Sequence, residues 1–125
     1  LAYSRIAYSH DMVTLYSAAD VVVCRAGAST IAEVSTVGVC AVVVPWKDAA
    51  ENHQLVNAQW LTSRGGAVLL EENALTAHEF SQLVTELLRD DDRRSAIASR
   101  ARELGAVHRQ SSIASVIEGA AKAKV

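Results

Sequence analysis

The sequence predicts an α/β fold: a parallel sheet flanked by helices. Three observations predict it. Short apolar runs of strand length alternate with helix-like segments over the first seventy residues. Those runs are apolar at consecutive positions, as in parallel strands covered on both faces. The connections between them are only a few residues long, which suits right-handed βαβ units.

The elements follow in order. Asp11 to Ala19 reads as a short helix with apolar Met12, Leu15 and Tyr16, and Asp11 is its expected cap. Asp20 opens a strand, Val21-Val22-Val23-Cys24, which is expected to be buried on both faces. Arg25-Ala26-Gly27-Ala28-Ser29 is a small-residue turn, and Thr30 to Val37 is a helix that stops at Gly38. Ala41 to Pro45 is the second strand, Trp46 to Glu51 a polar loop, and Asn52 to Ser63 a helix that ends at Arg64-Gly65-Gly66. Ala67 to Leu70 is the third strand. Helices are predicted over Thr76–Arg89, Asp91–Leu104 and His108–Lys122, with fraying from Gly119 onward. A doubly wound sheet usually has more than three strands. The chain, which opens on Leu1, is therefore expected to be a partial domain with its first strands missing.

Composition narrows the function classes. The 125 residues are half hydrophobic and 21% charged, which is ordinary for a packed domain. A net charge of -2 gives no electrostatic footprint for nucleic acid. No apolar run reaches the roughly 18 residues that span a bilayer; the longest is Val39–Trp46. Cys24 and Cys40 lie inside apolar runs and are expected to be free, buried thiols, as in a cytoplasmic protein. The four histidines form no metal-ligand spacing with them, so neither a metal nor a cofactor is expected. Trp46 and Trp60 are expected to be packing residues, and Asp90-Asp91-Asp92-Arg93-Arg94 a solvated inter-helix turn.

The sharpest candidate site is Gly27-Ala28-Ser29-Thr30-Ile31-Ala32-Glu33. It joins the carboxyl end of a strand to a helix start, where open α/β sheets bind ligands. Small residues let a phosphate approach the backbone, and the helix start offers unpaired N–H groups and a positive dipole end. Ser29 and Thr30 add hydroxyls, and Glu33 suits a vicinal diol such as ribose. The same residues also read as a capping box, Thr30-x-x-Glu33, which needs no ligand. That pattern recurs at Thr76-Ala77-His78-Glu79. After the second strand, Asn52-His53-Gln54-Leu55-Val56-Asn57-Ala58 opens a helix facing the same cleft. Gln54 has donors and acceptors suited to sugar hydroxyls. The competing reading makes Asn52 a cap, leaves Gln54 in solvent and leaves His53 on the surface.

Taken together, Tyr8-Ser9-His10-Asp11-Met12, the block Ala19–Glu33, the segment Gly38-Val39…Val44-Pro45 and His53-Gln54-Leu55-Val56-Asn57-Ala58 resemble the C-terminal domain of the MurG family. These bacterial transferases move N-acetylglucosamine from UDP-N-acetylglucosamine to lipid I, making lipid II for peptidoglycan. The resemblance runs from about Tyr3 to Ala121. It implies a GT-B architecture of two Rossmann-like domains, of which this one would hold the donor. Gly27, Ala28, Ser29, Thr30, Ile31 and Ala32 would then lie against the nucleotide and diphosphate, with Glu33 on the ribose. Ser9 would meet uracil through its backbone, and Gln54, with His53 beside it, would meet the donor sugar. The resemblance assigns no catalytic residue to this chain: the general base and the lipid I acceptor site belong to an N-terminal domain that the sequence does not contain. The parent would work at the cytoplasmic membrane face, touching the membrane only as the full-length protein. Cys40 departs from the family's proline in a Gly-x-Pro turn, and the glycine-rich loop that opens the family's domain is absent. A second reading is the donor half of another UDP-sugar transferase of this architecture. A third is a non-catalytic nucleotide-binding module.

Overall fold

The structure is a computed structural model; it describes residues 2–48, 53–110 and 119–122. Three parallel strands, β1 (Val22–Cys24), β2 (Ala41–Val43) and β3 (Val68–Leu69), form a sheet in the order β1-β2-β3. Val22 pairs with Ala41, and Val42 with Val68. Flanking hydrogen bonds from Val44 N to Cys24 O (2.8 Å) and from Leu70 N to Val43 O (3.0 Å) carry the pairing past the strand ends. The predicted α/β class and element order therefore hold.

Helices α1 (Met12–Ala18), α2 (Ala28–Val37), α3 (His53–Thr62), α4 (Ala77–Arg89), α5 (Asp91–Leu104) and α6 (Ala106–Arg109) surround the sheet. Their ends follow local chemistry. Asp11 caps α1 by accepting from Thr14 N, and Asp90 caps α5 by accepting from Arg93 N. Thr76 and Glu79 form a reciprocal capping box on α4. Gly38 ends α2 with φ +77°, a left-handed turn open to glycine at little cost. Only Asp90 of the acidic-then-basic run lies between the two helices; Asp91–Arg94 form the first turn of α5, where Arg94 folds back onto the carbonyls of Leu87 and Leu88.

Alternation along β2 builds two cores. Ala41 and Val43 face Tyr16, Ile31, Val34, Ala58, Leu61 and Ala101. Val42, with Cys40 and Val44, faces Leu87, Leu83 and Ile97. Helix α5 thus contributes to both layers. The two cysteines are free: Cys40 is buried and Cys24 half-buried.

Three expectations need correction. Strand β1 is not covered on both faces: Val22 and Cys24 pack inward, but Val23 is 44% exposed. Leu83 and Leu87 of α4 cover the middle of the sheet on that face and leave Val23 at the edge. Trp46 is not a packing residue, because it follows β2 into the loop and is 51% exposed. The last predicted helix begins two residues earlier than expected: α6 starts at Ala106, directly after Gly105 ends α5, and closes by Arg109. Residues 111–118 lie outside the described residues, while residues 119–122, expected to fray, are helical. Between β3 and α4, Glu72–Ala74 forms a 3-10 turn.

Burial pushes the Cys24 thiol up from 9.0 to about 11, and pushes Cys40 in the same direction. A folded-state pKa above the unfolded value means that the native state holds the proton more tightly. That contribution to stability is complete below pH 9.0 and is lost as pH rises through about 11. Stability measured by denaturant titration should therefore decline over this window, and Cys24→Ala should flatten the decline. A decline of equal slope in the variant would assign it to other groups.

Candidate functional site

The carboxyl ends of β1 and β2 meet the first turns of α2 and α3. Gly27 is the N-cap of α2, in an extended conformation (φ -61°, ψ 147°), and no side chain caps this helix. Ile31 N closes the first helical bond onto Gly27 O at 3.0 Å. Ala28, Ser29 and Thr30 thus supply the first three N–H groups, which have no intrahelical acceptor. Ala28 and Ser29 are exposed, and Thr30, Ala32 and Glu33 are half-buried. Ile31, at 4% exposure, belongs to the core.

This geometry overturns the capping-box reading at Thr30-x-x-Glu33. The helix starts at Ala28, two residues earlier than predicted, so Thr30 is already inside the first turn. The residue at the cap position is a glycine with no side chain to offer. The sequence twin at Thr76 does form the box, with Glu79 N bonded to Thr76 Oγ1 at 3.1 Å and Thr76 N to Glu79 Oε2 at 3.3 Å. Two identical patterns therefore have different fates, set by where each helix begins. Glu33 is released from capping and lies instead near Tyr16 of α1. Burial, followed by the charges of Glu33 and Cys24, raises the Tyr16 phenol above its usual 10.0.

Gln54 is neither in solvent nor idle. Its Oε1 accepts from Trp46 N at 2.8 Å and from Ala26 N at 3.3 Å, tying the ends of β1 and β2 together. Asn57, one turn further along α3, donates from Nδ2 to Ala26 O at 3.0 Å. His53 is exposed at the start of α3. Asn52, the alternative cap, lies outside the described residues. Ser9 is half-buried just before α1, and its Oγ accepts from Asp11 N at 3.1 Å. Among the described residues no hydrogen bond links Ser9 to the Gly27–Glu33 segment.

Two features were not predicted from sequence. Arg25 donates to Glu72 Oε1 at 3.0 Å and, more weakly, to Val44 O at 3.5 Å. Lys47 N donates to Glu72 Oε2 at 3.3 Å. Hydrogen bonds from Arg25 and Lys47 hold the Glu72 carboxyl below its usual value of 4.5. No local signal announces a pair 47 residues apart. Asn57 was also absent from the predicted site, although its three-residue spacing from Gln54 puts both on one helix face. Beside these residues, Ala28, Ile31, Ala32, Asn57, Trp60 and His108 line an open groove of about 250 Å³. No group of three potential metal ligands occurs among the described residues.

The arrangement offers peptide N–H donors, hydroxyls and one carboxylate at the carboxyl end of a parallel sheet. Comparison with known proteins identifies the family. The model of the glycosyltransferase family 28 C-terminal domain matches residues 1–117. This chain belongs to that family. Among curated relatives of the family 28 domain is a protein of Xanthomonas campestris pv. campestris (strain B100), 45% identical over 107 residues. Its name is UDP-N-acetylglucosamine--N-acetylmuramyl-(pentapeptide) pyrophosphoryl-undecaprenol N-acetylglucosamine transferase; the match covers 86% of this chain and 25% of that protein. A relative of the same name from Anaeromyxobacter sp. (strain Fw109-5) is 41% identical over 109 residues, covering 87% of this chain and 29% of that protein. The crystal structure of Acinetobacter baumannii MurG superposes with a TM-score of 0.72 at 38% identity, over 78% of this chain and 28% of that one. This family 28 domain therefore spans between a quarter and three-tenths of each of these relatives.

Proposed function

We propose that this chain is the donor-binding C-terminal domain of a UDP-N-acetylglucosamine-dependent transferase. Its parent transfers N-acetylglucosamine to undecaprenyl-diphosphate-muramoyl-pentapeptide, the lipid I acceptor. The observation that carries the reading is the uncapped start of α2, Ala28-Ser29-Thr30, at the carboxyl end of β1 in a family 28 domain. Peptide N–H groups and the helix dipole there suit the diphosphate of a nucleotide sugar. Glu33 holds the ribose hydroxyls, the backbone at Ser9 meets uracil, and Gln54, with His53 beside it, faces the sugar. The Gln54 oxygen is already engaged by two peptide N–H groups, so its Nε2 is the atom that reaches a sugar oxygen.

In the proposed reaction a base on the acceptor-binding domain, outside this sequence, takes the proton of the acceptor hydroxyl. The hydroxyl oxygen bonds to the anomeric carbon as the bond from that carbon to the diphosphate breaks, and UDP leaves with the electron pair. The work of this domain is to stabilise the charge that grows on the leaving diphosphate. The same base would make the reaction inverting, by displacement from the opposite face. The parent is placed at the cytoplasmic face of the membrane because its acceptor is a lipid. No helix among the described residues is long and apolar enough to cross a membrane.

Calorimetric titration of the folded chain with UDP-N-acetylglucosamine, UDP and ADP tests the reading. Binding of both uridine ligands, with ADP much weaker, is the expected result. Equal binding of UDP and ADP would sink the uridine-specific assignment. Absence of any binding would show that this chain does not hold a donor by itself.

A further inference from the structure

Ala26 lies between β1 and the N-cap of α2 and is completely buried. Both polar groups of this residue are gripped from one helix. Its N–H donates to Gln54 Oε1 at 3.3 Å, and its carbonyl accepts from Asn57 Nδ2 at 3.0 Å. The two side chains are three residues apart on α3 and share a face. Chemistry decides how both amides point. Gln54 meets two peptide N–H donors, from Ala26 and Trp46, so its oxygen must face them. Asn57 meets a carbonyl, so its nitrogen must face that. Without them a buried backbone residue would keep an unpaired donor and an unpaired acceptor.

We propose that Asn57, with the oxygen of Gln54, is a positioning residue for the diphosphate. Helix α3 clamps Ala26 and thereby sets the direction in which the Ala28, Ser29 and Thr30 N–H groups point. This rests on the reading of the α2 start as the diphosphate site. Asn57 acts on the ligand through Ala26, without touching it. The clamp therefore governs phosphate affinity and leaves the nucleoside and sugar contributions alone.

The test is an amide-shift NMR titration of the chain with uridine, UDP, inorganic pyrophosphate and UDP-N-acetylglucosamine, for the wild type and Asn57→Ala. The clamp predicts that affinity for UDP, pyrophosphate and the nucleotide sugar falls by one common factor, on the order of tenfold for one lost buried hydrogen bond. Uridine should bind as before. Loss confined to UDP-N-acetylglucosamine would overturn the proposal by placing Asn57 on the sugar. Equal loss for uridine and UDP, or no loss at all, would overturn it as well. Asn57→Asp supplies a rescue. Its ionised carboxylate repels Ala26 O, but its protonated form donates to it, so the deficit against wild type should shrink as pH falls through the carboxyl range near about 4. That variant gives the same reading if Asn57→Ala does not fold. If the wild type shows no UDP shifts, the donor reading fails on its own account. Amide hydrogen exchange then judges the clamp: Ala26 and Ile31 should exchange faster in the variant, and unchanged protection would refute it.

Discussion

Gly105→Ala is expected to be among the most damaging single-methyl additions in this domain, costing about 3 kcal/mol of stability, at the upper end for forced overpacking. A β-carbon at Gly105 would sit 2.2 Å from Ser35 O and 2.8 Å from Thr36 N, both backbone atoms of α2. Backbone in a packed helix cannot swing aside as a side-chain tip can, so α5 would have to lift off α2. Ser35 is completely buried and already donates its hydroxyl to Ile31 O at 2.8 Å, leaving the crossing little slack. The loss should appear as a fall in Tm of roughly 10 °C for a domain of this size. Gly27→Ala is the control. Its β-carbon would meet only Thr30 Oγ1, at 3.8 Å, and its φ is compatible with alanine. It should lose no more than about 1 kcal/mol, the ordinary cost of alanine at an N-cap. Comparable melting points for the two variants would show that the α2–α5 crossing is looser than the structure describes.

Glu33→Ala should weaken UDP binding by about tenfold to a hundredfold, the range for hydrogen bonds to a charged group, and leave Tm nearly unchanged. Glu33 closes no capping box, so its removal exposes no helix N–H group. Glu79→Ala should behave in the opposite way. It removes half of a formed box and should cost about 1 kcal/mol of stability with no change in UDP affinity. Calorimetry and thermal melts on the two variants separate the roles. A Tm loss for Glu33→Ala equal to that for Glu79→Ala, with UDP affinity intact, would return Glu33 to a structural role. The same variant carries a spectroscopic check. Glu33 is one cause of the raised Tyr16 phenol, so its removal should lower the ionisation of that tyrosine toward 10.0 in an ultraviolet titration.

Much of the fold lay in short-range pattern. The run Asp91–Leu104 is a helix at both predicted ends because Asp90 caps it and glycine follows it. Gly38 and the polar–apolar switches placed β2 within two residues of its observed end. The candidate site was only partly visible in this way. The sequence places a turn at Arg25–Ser29, but only its first part is a turn: α2 starts at Ala28, two residues earlier than predicted. That error alone made Glu33 look like a capping partner.

By itself, then, the sequence determined the order of strands and helices, the local cap at Asp11 and the capping-box pattern at Thr76, and the presence of a small-residue turn at the carboxyl end of a strand. Those features depend on groups three or four residues apart, whose geometry one helical turn already dictates. Only the tertiary structure decided that Gln54 and Asn57 grip Ala26, that Arg25 reaches Glu72, that Gly105 rests on Ser35, and that Val23 stays uncovered. Each of these joins or separates elements distant along the chain. Such contacts depend on how whole helices settle on the sheet, and no local propensity encodes them.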